Sequence, residues 1–429
     1  NFTDAVLTDS VQTGANMGDA LFCTVDAQCD DGEACTTNTC AAGTCITVII
    51  TDCCTQNTQC DDGQSCTVNA CEANTCQTTP ITTGCCTTGD CTAVYDVPQA
   101  SFTLPNNFDN AYYPDIQAAF PEVDWDTIDR LYIPAGHYPF LTLHNLPERT
   151  PDNPLIITNK GGQVRVGALG HASLFKLGGG SNWILTGRWD PVGKTGHHAF
   201  PGHAGNQYAN TAGTYGLFVD DQLVGGSING VSVEYGATDV ELEFIEITRV
   251  GFAGLVVKMD TPGGVEDPVS FANENTMYNV KVHDLYIHDT DSEGVYIGST
   301  QKQPVHKIMA LQFYNNRVLR AGTELAQFGQ IGGNSVIHHN VFAMGALGWK
   351  DPFQGFQDNA TQLLPREGSV SVHHNIFIGG AESMVNLHPI EWSGDVHQDG
   401  DLVEYRDNYF SHGRNGAGAY IGSFPNGKT

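Results

Sequence analysis

The chain has 429 residues, with 48 acidic against 19 basic side chains and a net charge of −29. So few Lys and Arg exclude nucleic acid and anionic lipid as partners gripped through phosphates, and no apolar run approaches the roughly 20 residues of a membrane span. A hydrophobic fraction of 40% excludes wholesale disorder, and 49 glycines suit a fold of many turns.

Residues 1–22 mix apolar and small side chains and read as an extended lead that pairs with another chain or stays loose. A cysteine-rich module spans 23–96. Cys23, Cys29, Cys35, Cys40 and Cys45 recur 31 residues later as Cys54, Cys60, Cys66, Cys71 and Cys76. Cys53 lies between the copies, and Cys85, Cys86 and Cys91 form a partial third. An even number in so short a stretch reads as a disulfide framework made outside the cytosol, with its connectivity open. Lacking a signal peptide, the chain reads as a mature, secreted protein, extracellular or at the cell surface. Asp30-Asp31-Gly32 and Asp61-Asp62-Gly63 read as tight turns, with calcium ligation as the alternative. No Lys or Arg precedes Arg130, as in a protease-resistant spacer. The filler, "QCDDGEACTTNTC" against "QCDDGQSCTVNAC", resembles the short CDDGxxCTxxxC repeats of secreted microbial proteins. That resemblance implies extracellular exposure and no chemistry.

Cysteine ends at 91 and the pattern changes. Over 97–127, Ile116, Ala119 and Phe120 stand at helical spacing, and the strand "DRLYIPAGHY" follows. From 128 to 429 the chain repeats. "VKVHDLYIHD", "LQFYNNRVLR", "SVIHHNVFAM", "VSVHHNIFIG" and "VEYRDNYFSH" share one register and turn at Leu285, Asn316, Asn340, Asn375 and Asn408, at intervals of 31, 24, 35 and 33 residues. These are solenoid spacings, and stacked Asn side chains in a turn can bond along the axis. A cap helix followed by an I-P-x-G-x-Y strand resembles the start of the right-handed parallel β-helix proteins of the pectate-lyase-like superfamily. The resemblance implies an all-β solenoid preceded by a small disulfide-rich module, and specifies fold better than function. It also implies a binding groove on the sheet formed by the short strands after each turn, "GLVVKM", "GVYIGS", "LAQFGQ", "FQGFQD", "SMVNLH" and "AYIGSF".

Several columns could carry chemistry. Glu293, Glu324, Asp351 and Glu382 each precede such a strand. Stacked carboxylates repel unless they share a proton or a cation, so a Ca2+ site or an acid/base pair is one reading and acids fanned into solvent the other. Glu324-x-x-Gln327-x-x-Gln330 and Asp351-x-x-Gln354-x-x-Gln357 would set parallel amides beside Tyr296, Trp349 and Phe356, suited to sugar hydroxyls and ring faces or to gluing coils together. His283, His338 and His373 form one row and His339 and His374 the next, read as a packing ladder with metal binding as the alternative. His197, His198 and His203 share a loop with Lys194. A polysaccharide lyase needs a base, for which Lys258, Lys302, Lys350 and Arg320 are candidates, with Lys350 and Glu324 at the centre. No family motif surrounds them. No helix closes the last coil, so its Tyr420 and Ile421 invite a second copy or a further domain. The expectation is an extracellular structural or surface protein, adhesin-like or assembled as a head-to-tail homo-oligomeric filament, in contact with polysaccharide. The alternative is a secreted, calcium-assisted polysaccharide lyase.

Overall fold

A computed structural model describes residues 23–32, 35–50, 53–54, 67–72, 74–80, 100–167, 173–187, 215–222, 227–259, 274–299, 306–348, 359–381, 383–387, 402–413 and 419–421. The chain divides into two compact units, Asn1–Val94 and Tyr95–Thr429. Among the described residues no helix is long and apolar enough to cross a membrane.

The first unit is built from hairpins. Thr36–Ala41 pairs antiparallel with Thr44–Ile49, and Thr67–Glu72 with Thr75–Pro80. Ala42 and Gly43 turn the first with φ of 52° and 83°, the positive-φ conformation that lets a two-residue loop follow the right-handed twist of its strands. Cys40 faces Cys45 and, 31 residues on, Cys71 faces Cys76. Disulfides join Cys23–Cys40, Cys29–Cys45, Cys35–Cys53 and Cys54–Cys71. The last is the first carried one repeat along, so the sequence repeat is a repeat of covalent structure. Asp30-Asp31-Gly32 spends its carboxylates internally. Asp30 Oδ1 accepts from Gly32 N at 3.0 Å and Asp31 Oδ1 from the Thr36 hydroxyl at 2.8 Å, the hydrogen bonds of a tight turn. The second copy of that triplet, at 61–63, lies outside the described residues.

The second unit is a right-handed parallel β-helix. Its cap helix α1, Ile116–Ala119, is a single turn. Asp115 caps it by accepting from Ala118 N at 2.9 Å, and Ile116 is fully buried. From Trp183 onward each coil gives one short strand to each of three parallel stacks, which the longer strands Arg130–Tyr138 and Leu155–Val166 begin by running through the first two. Four consecutive coils run through Lys281–His283, Tyr286–Thr290, Val295–Gly298; Gln312–Tyr314, Arg317–Ala321, Ala326–Gly332; Ser335–His338, Val341–Ala343, Thr361–Pro365; and Val370–His373, Ile376–Gly380, Val385–Leu387. Alternate residues point inward and merge into one continuous core, with Phe342 and Phe377 stacked at 5.1 Å in one inward column.

The corner between the first and second sheets is the tightest part of the coil. Asp284, Asn315, His339, His374 and Asp407 occupy it with φ of 54–57°, a conformation that Asn, Asp and His tolerate better than most residues. The next residue points in, and there the asparagines form a continuous chain. Asn316 N donates to Asn340 Oδ1 at 2.9 Å, Asn340 N to Asn375 Oδ1 at 3.0 Å, and Asn375 N to Asn408 Oδ1 at 2.9 Å. Each Nδ2 in turn donates to a carbonyl one coil back, that of Val282, Phe313, Ile337 or Val372, at 2.8–2.9 Å. Leu285, the first member of the column, is received through its N–H by Asn316 Oδ1.

Candidate functional site

Outward residues of the third sheet form one column. Register pairs Tyr112 with Thr142, Lys176, Ser232, Val256, Tyr296, Gln327, Gln362 and Asn386 on successive coils. At its N-terminal end this face opens into a groove of about 890 Å³ lined by Tyr112, Phe140, His144, Lys176 and Tyr235 among others. Tyr235 is 65% exposed and Tyr112 54%. Glu234 pairs with two of these lining residues, 3.1 Å from His144 Nε2 and 3.3 Å from Lys176 Nζ. Burial pulls its carboxyl upward, but the imidazole and the ammonium outweigh burial and hold it below the usual carboxylate range. Tyr235 leans on the His144 ring edge-on at 4.7 Å, so the ring at the groove's rim is fixed by the residue that fixes the charge.

Further along, the column becomes a buried carboxylate–amide ladder. Glu293 and Glu324 occupy the same position on adjacent coils, two residues before paired strands, and are 2% and 0% exposed. Gln327 Nε2 donates to Glu293 Oε1 at 2.9 Å, and one coil on Gln362 Nε2 donates to Glu324 Oε1. Each carboxyl keeps its Oε2 buried and without a hydrogen-bond partner among the described residues. Burial, reinforced by the charge of Glu293, pushes Glu324 up to about 8. At neutral pH Glu324 therefore keeps its proton. Calcium takes six to eight oxygens. Next in this column stand Ala253 on one side and Asn359 on the other, so the described donors suit a proton better than that ion.

The register corrects the sequence expectation here. The third-sheet strand in register with Ala326–Gly332 is Thr361–Pro365. Asn359 and Gln362 are thus the partners of Glu324 and Gln327, the places expected for Asp351 and Gln354. In the following coil the column position falls on Ser383, beside Glu382 and not on it. In sequence, a stretch longer than its counterparts and with its own acid-x-x-Gln spacing precedes the strand Thr361–Pro365. Trp349, Lys350, Asp351, Gln354, Gln357 and Glu382 lie outside the described residues, as do Lys302, Lys194, His197, His198 and His203. Gln330 is also not a sugar-facing amide. It sits at a bulge between Gly329 and Ile331 with φ 55°, is buried, and its Oε1 accepts from buried Arg366 at 3.0 Å. Tyr296 is buried too, under Lys258, whose Nζ stands 4.4 Å above the ring centre. Arg320, a candidate base, is forked onto Asp289 at 2.6 and 2.7 Å and held well above its ordinary range by that carboxylate. A guanidinium so placed does not take protons.

On the first sheet, Glu241, Glu243 and His283 bring ligand atoms within 4.8 Å of one another. Burial lowers the proton affinity of the His283 ring, but Asp284 at 2.5 Å and Glu241 at 3.0 Å reverse this and raise it to about 9. The cluster thus already holds an imidazolium among its carboxylates. The ring row continues through Tyr314, 4.5 Å from His283, to His338 at 5.0 Å and His373 at 5.1 Å. Burial and the neighbouring imidazoles hold His338 down at about 4. Sequence reading missed the groove, because Tyr112, His144, Lys176, Glu234 and Tyr235 belong to coils without the asparagine signature. Only their shared register joins them.

No family model matches this sequence, and no curated protein does. Among solved structures, an alginate lyase from Paenibacillus sp. str. FPU-7 is similar over 75% of this chain and 99% of its own, at 12% identity and a TM-score of 0.43. Pectate lyase Pel9A covers 77% and 78%, at 11% and 0.31. PfbA, a surface adhesin of Streptococcus pneumoniae, covers 77% and 94%, at 13% and 0.26. Such likeness concerns the coiled architecture alone, and the β-helix assignment stands on the chain's own strand register.

Proposed function

We propose that this chain is an extracellular surface β-helix that contacts polysaccharide through the outward face of its third sheet, as an adhesive or structural component. One observation carries the reading. Two exposed tyrosines flank an open groove whose cation and imidazole are both matched to one carboxylate. Flat apolar faces with a few fixed polar groups suit sugar rings and hydroxyls. With Lys176 neutralised locally and a net charge of −29, the ligand expected is a neutral or amine-bearing glycan, not a polyuronate. The described disulfides belong to an oxidising compartment and support the extracellular placement. Calorimetry of the intact protein against a panel of neutral, amino and uronate polysaccharides tests the reading. Tyr112→Ala/Tyr235→Ala is expected to weaken binding at least tenfold with an unchanged circular dichroism spectrum, and undiminished binding would refute the placement.

The second reading, a calcium-assisted polysaccharide lyase, draws on the imidazole and the ammonium on one groove wall, residue types that proton abstraction beside a uronate uses. Release of an ultraviolet-absorbing unsaturated uronate, lost in His144→Ala, would establish it in place of the first. Head-to-tail assembly belongs to the same proposal. It is supported by the exposed Leu402 and Tyr409 on the coil that includes Val403–Arg406. Light scattering that finds only monomer at high concentration would remove it.

A further inference from the structure

Four histidines at the tight corner form an arrangement that neither the groove nor the buried ladder uses. His338 and His373 end adjacent strands of the first sheet and are register partners. His339 and His374 follow in the corner position, both at φ 54°. Within each coil the two Nδ1 atoms face each other, at 2.8 Å for His338 and His339 and 2.9 Å for His373 and His374, with ring planes 88° and 87° apart. Between coils like rings stack, at 5.1 Å and 5.0 Å. The corner histidines are exposed. The preceding coil has Tyr314 and Asn315 at these two positions and the following coil Arg406 and Asp407, so the array is two pairs long.

Two ring nitrogens this close share one proton, one ring donating N–H and the other accepting. Their separation is also the bite of a cis chelate. Nitrogens at roughly 2.0–2.1 Å from a metal ion and about 90° apart lie about 2.9 Å from each other, whereas a tetrahedral angle spreads them to roughly 3.4 Å. We propose that His338–His339 and His373–His374 are twin chelating sites for a divalent transition ion of tetragonal preference, of the Cu2+ or Ni2+ class, one ion per imidazole pair. The ion replaces the shared proton, which moves to Nε2 of the same ring, so no proton leaves the protein. The backbone is fixed in advance, because Asn340 Nδ2 donates to His338 O at 2.9 Å and Asn375 Nδ2 to His373 O at 3.0 Å. The asparagine chain thus holds the corner on which each chelate is built, and preorganised ligands bind without an ordering cost. The two ions would sit about one strand spacing apart, near 4.8 Å, and their mutual repulsion makes the second bind more weakly.

The test titrates the intact, chelator-stripped protein with Cu2+ and follows electron paramagnetic resonance. Two equivalents are expected, the first with nitrogen hyperfine splitting and the second, at least tenfold weaker, broadening that signal through dipolar coupling to the first, and a hundredfold excess of Ca2+ displaces neither. His339→Asn should remove one equivalent and His339→Asn/His374→Asn both. Asparagine is accommodated there, since Asn315 holds the equivalent corner at φ 54°, and an unchanged melting temperature checks it. Should the double variant misfold, His338→Gln/His373→Gln gives the same readout from the strand side. A folded double variant that titrates like the wild type, or a first-equivalent copper signal without nitrogen splitting, overturns the proposal.

Discussion

Replacing Glu324 by Gln isolates the buried carboxyl pair. The substitution keeps shape, and the new amide oxygen still accepts from Gln362. In the folded protein Glu324 holds its proton up to about 8, against 4.5 for the free side chain. Below 4.5 both folded and unfolded states are protonated and the group contributes no pH dependence. Between 4.5 and about 8 the folded state keeps a proton that the unfolded state has lost, so stability falls as pH rises, and it levels off above that range. At roughly 1.4 kcal/mol for each tenfold in proton affinity, the interval from 4.5 to about 8 amounts to a loss on the order of 5 kcal/mol. Glu324→Gln has no such proton to lose. Urea denaturation of wild type and variant, from pH 4.5 to 9, should therefore diverge. Relative to wild type, the variant gains stability steadily with pH, by about 3–5 kcal/mol at pH 9. His283, raised to about 9, loses its own contribution as pH rises through that value, but it does so in both proteins and cancels in the difference. Parallel profiles across the whole range would refute the proton retained by Glu324.

Asn340→Ala removes an amide that serves three coils and is expected to cost about 1–3 kcal/mol, while Asn408→Ala, at the half-buried end of the chain of amides, costs less; thermal melting compares them. The 31-residue translation that carries Cys23–Cys40 onto Cys54–Cys71 carries Cys29–Cys45 onto Cys60–Cys76, so non-reducing peptide mapping should recover that linked pair. Reduction should loosen the cysteine module and leave the β-helix circular dichroism intact, because the solenoid buries its own core; its collapse would contradict the division into two units. Millimolar Ca2+ at pH 6, where Glu324 is protonated, should shift the melting temperature by less than about 1 °C; a larger rise would restore the calcium reading of the pair.

The coil was legible wherever an inward polar residue repeated. Asn316, Asn340, Asn375 and Asn408 mark the corner unambiguously, because a buried amide is tolerated only where its bonds are met at each turn. Glu293, Glu324 and Gln327 were legible for the same reason. Asn359 and Gln362 were not, since a long connection before them holds a competing acid-x-x-Gln spacing and sequence order alone cannot say which copy enters the sheet. Lys176 and Glu234 were hidden more completely. Their partners His144 and Tyr112 lie on other coils, and only parallel pairing across tens of residues unites them.

The asparagine chain also dictates where this molecule can change length. Its hydrogen bonds pass from coil to coil at a two-residue corner, so one inserted residue there would sever a connection shared by every later coil. From Leu242 onward, spare chain accumulates at the other two corners instead: between Ala343 and Thr361, between Gly298 and Lys307, and between Leu387 and Val403. Both of those corners border the third sheet. Along the coils it threads, from Leu285 onward, an unbroken internal cable therefore confines evolutionary tinkering, and any engineered loop library, to the margins of the third sheet.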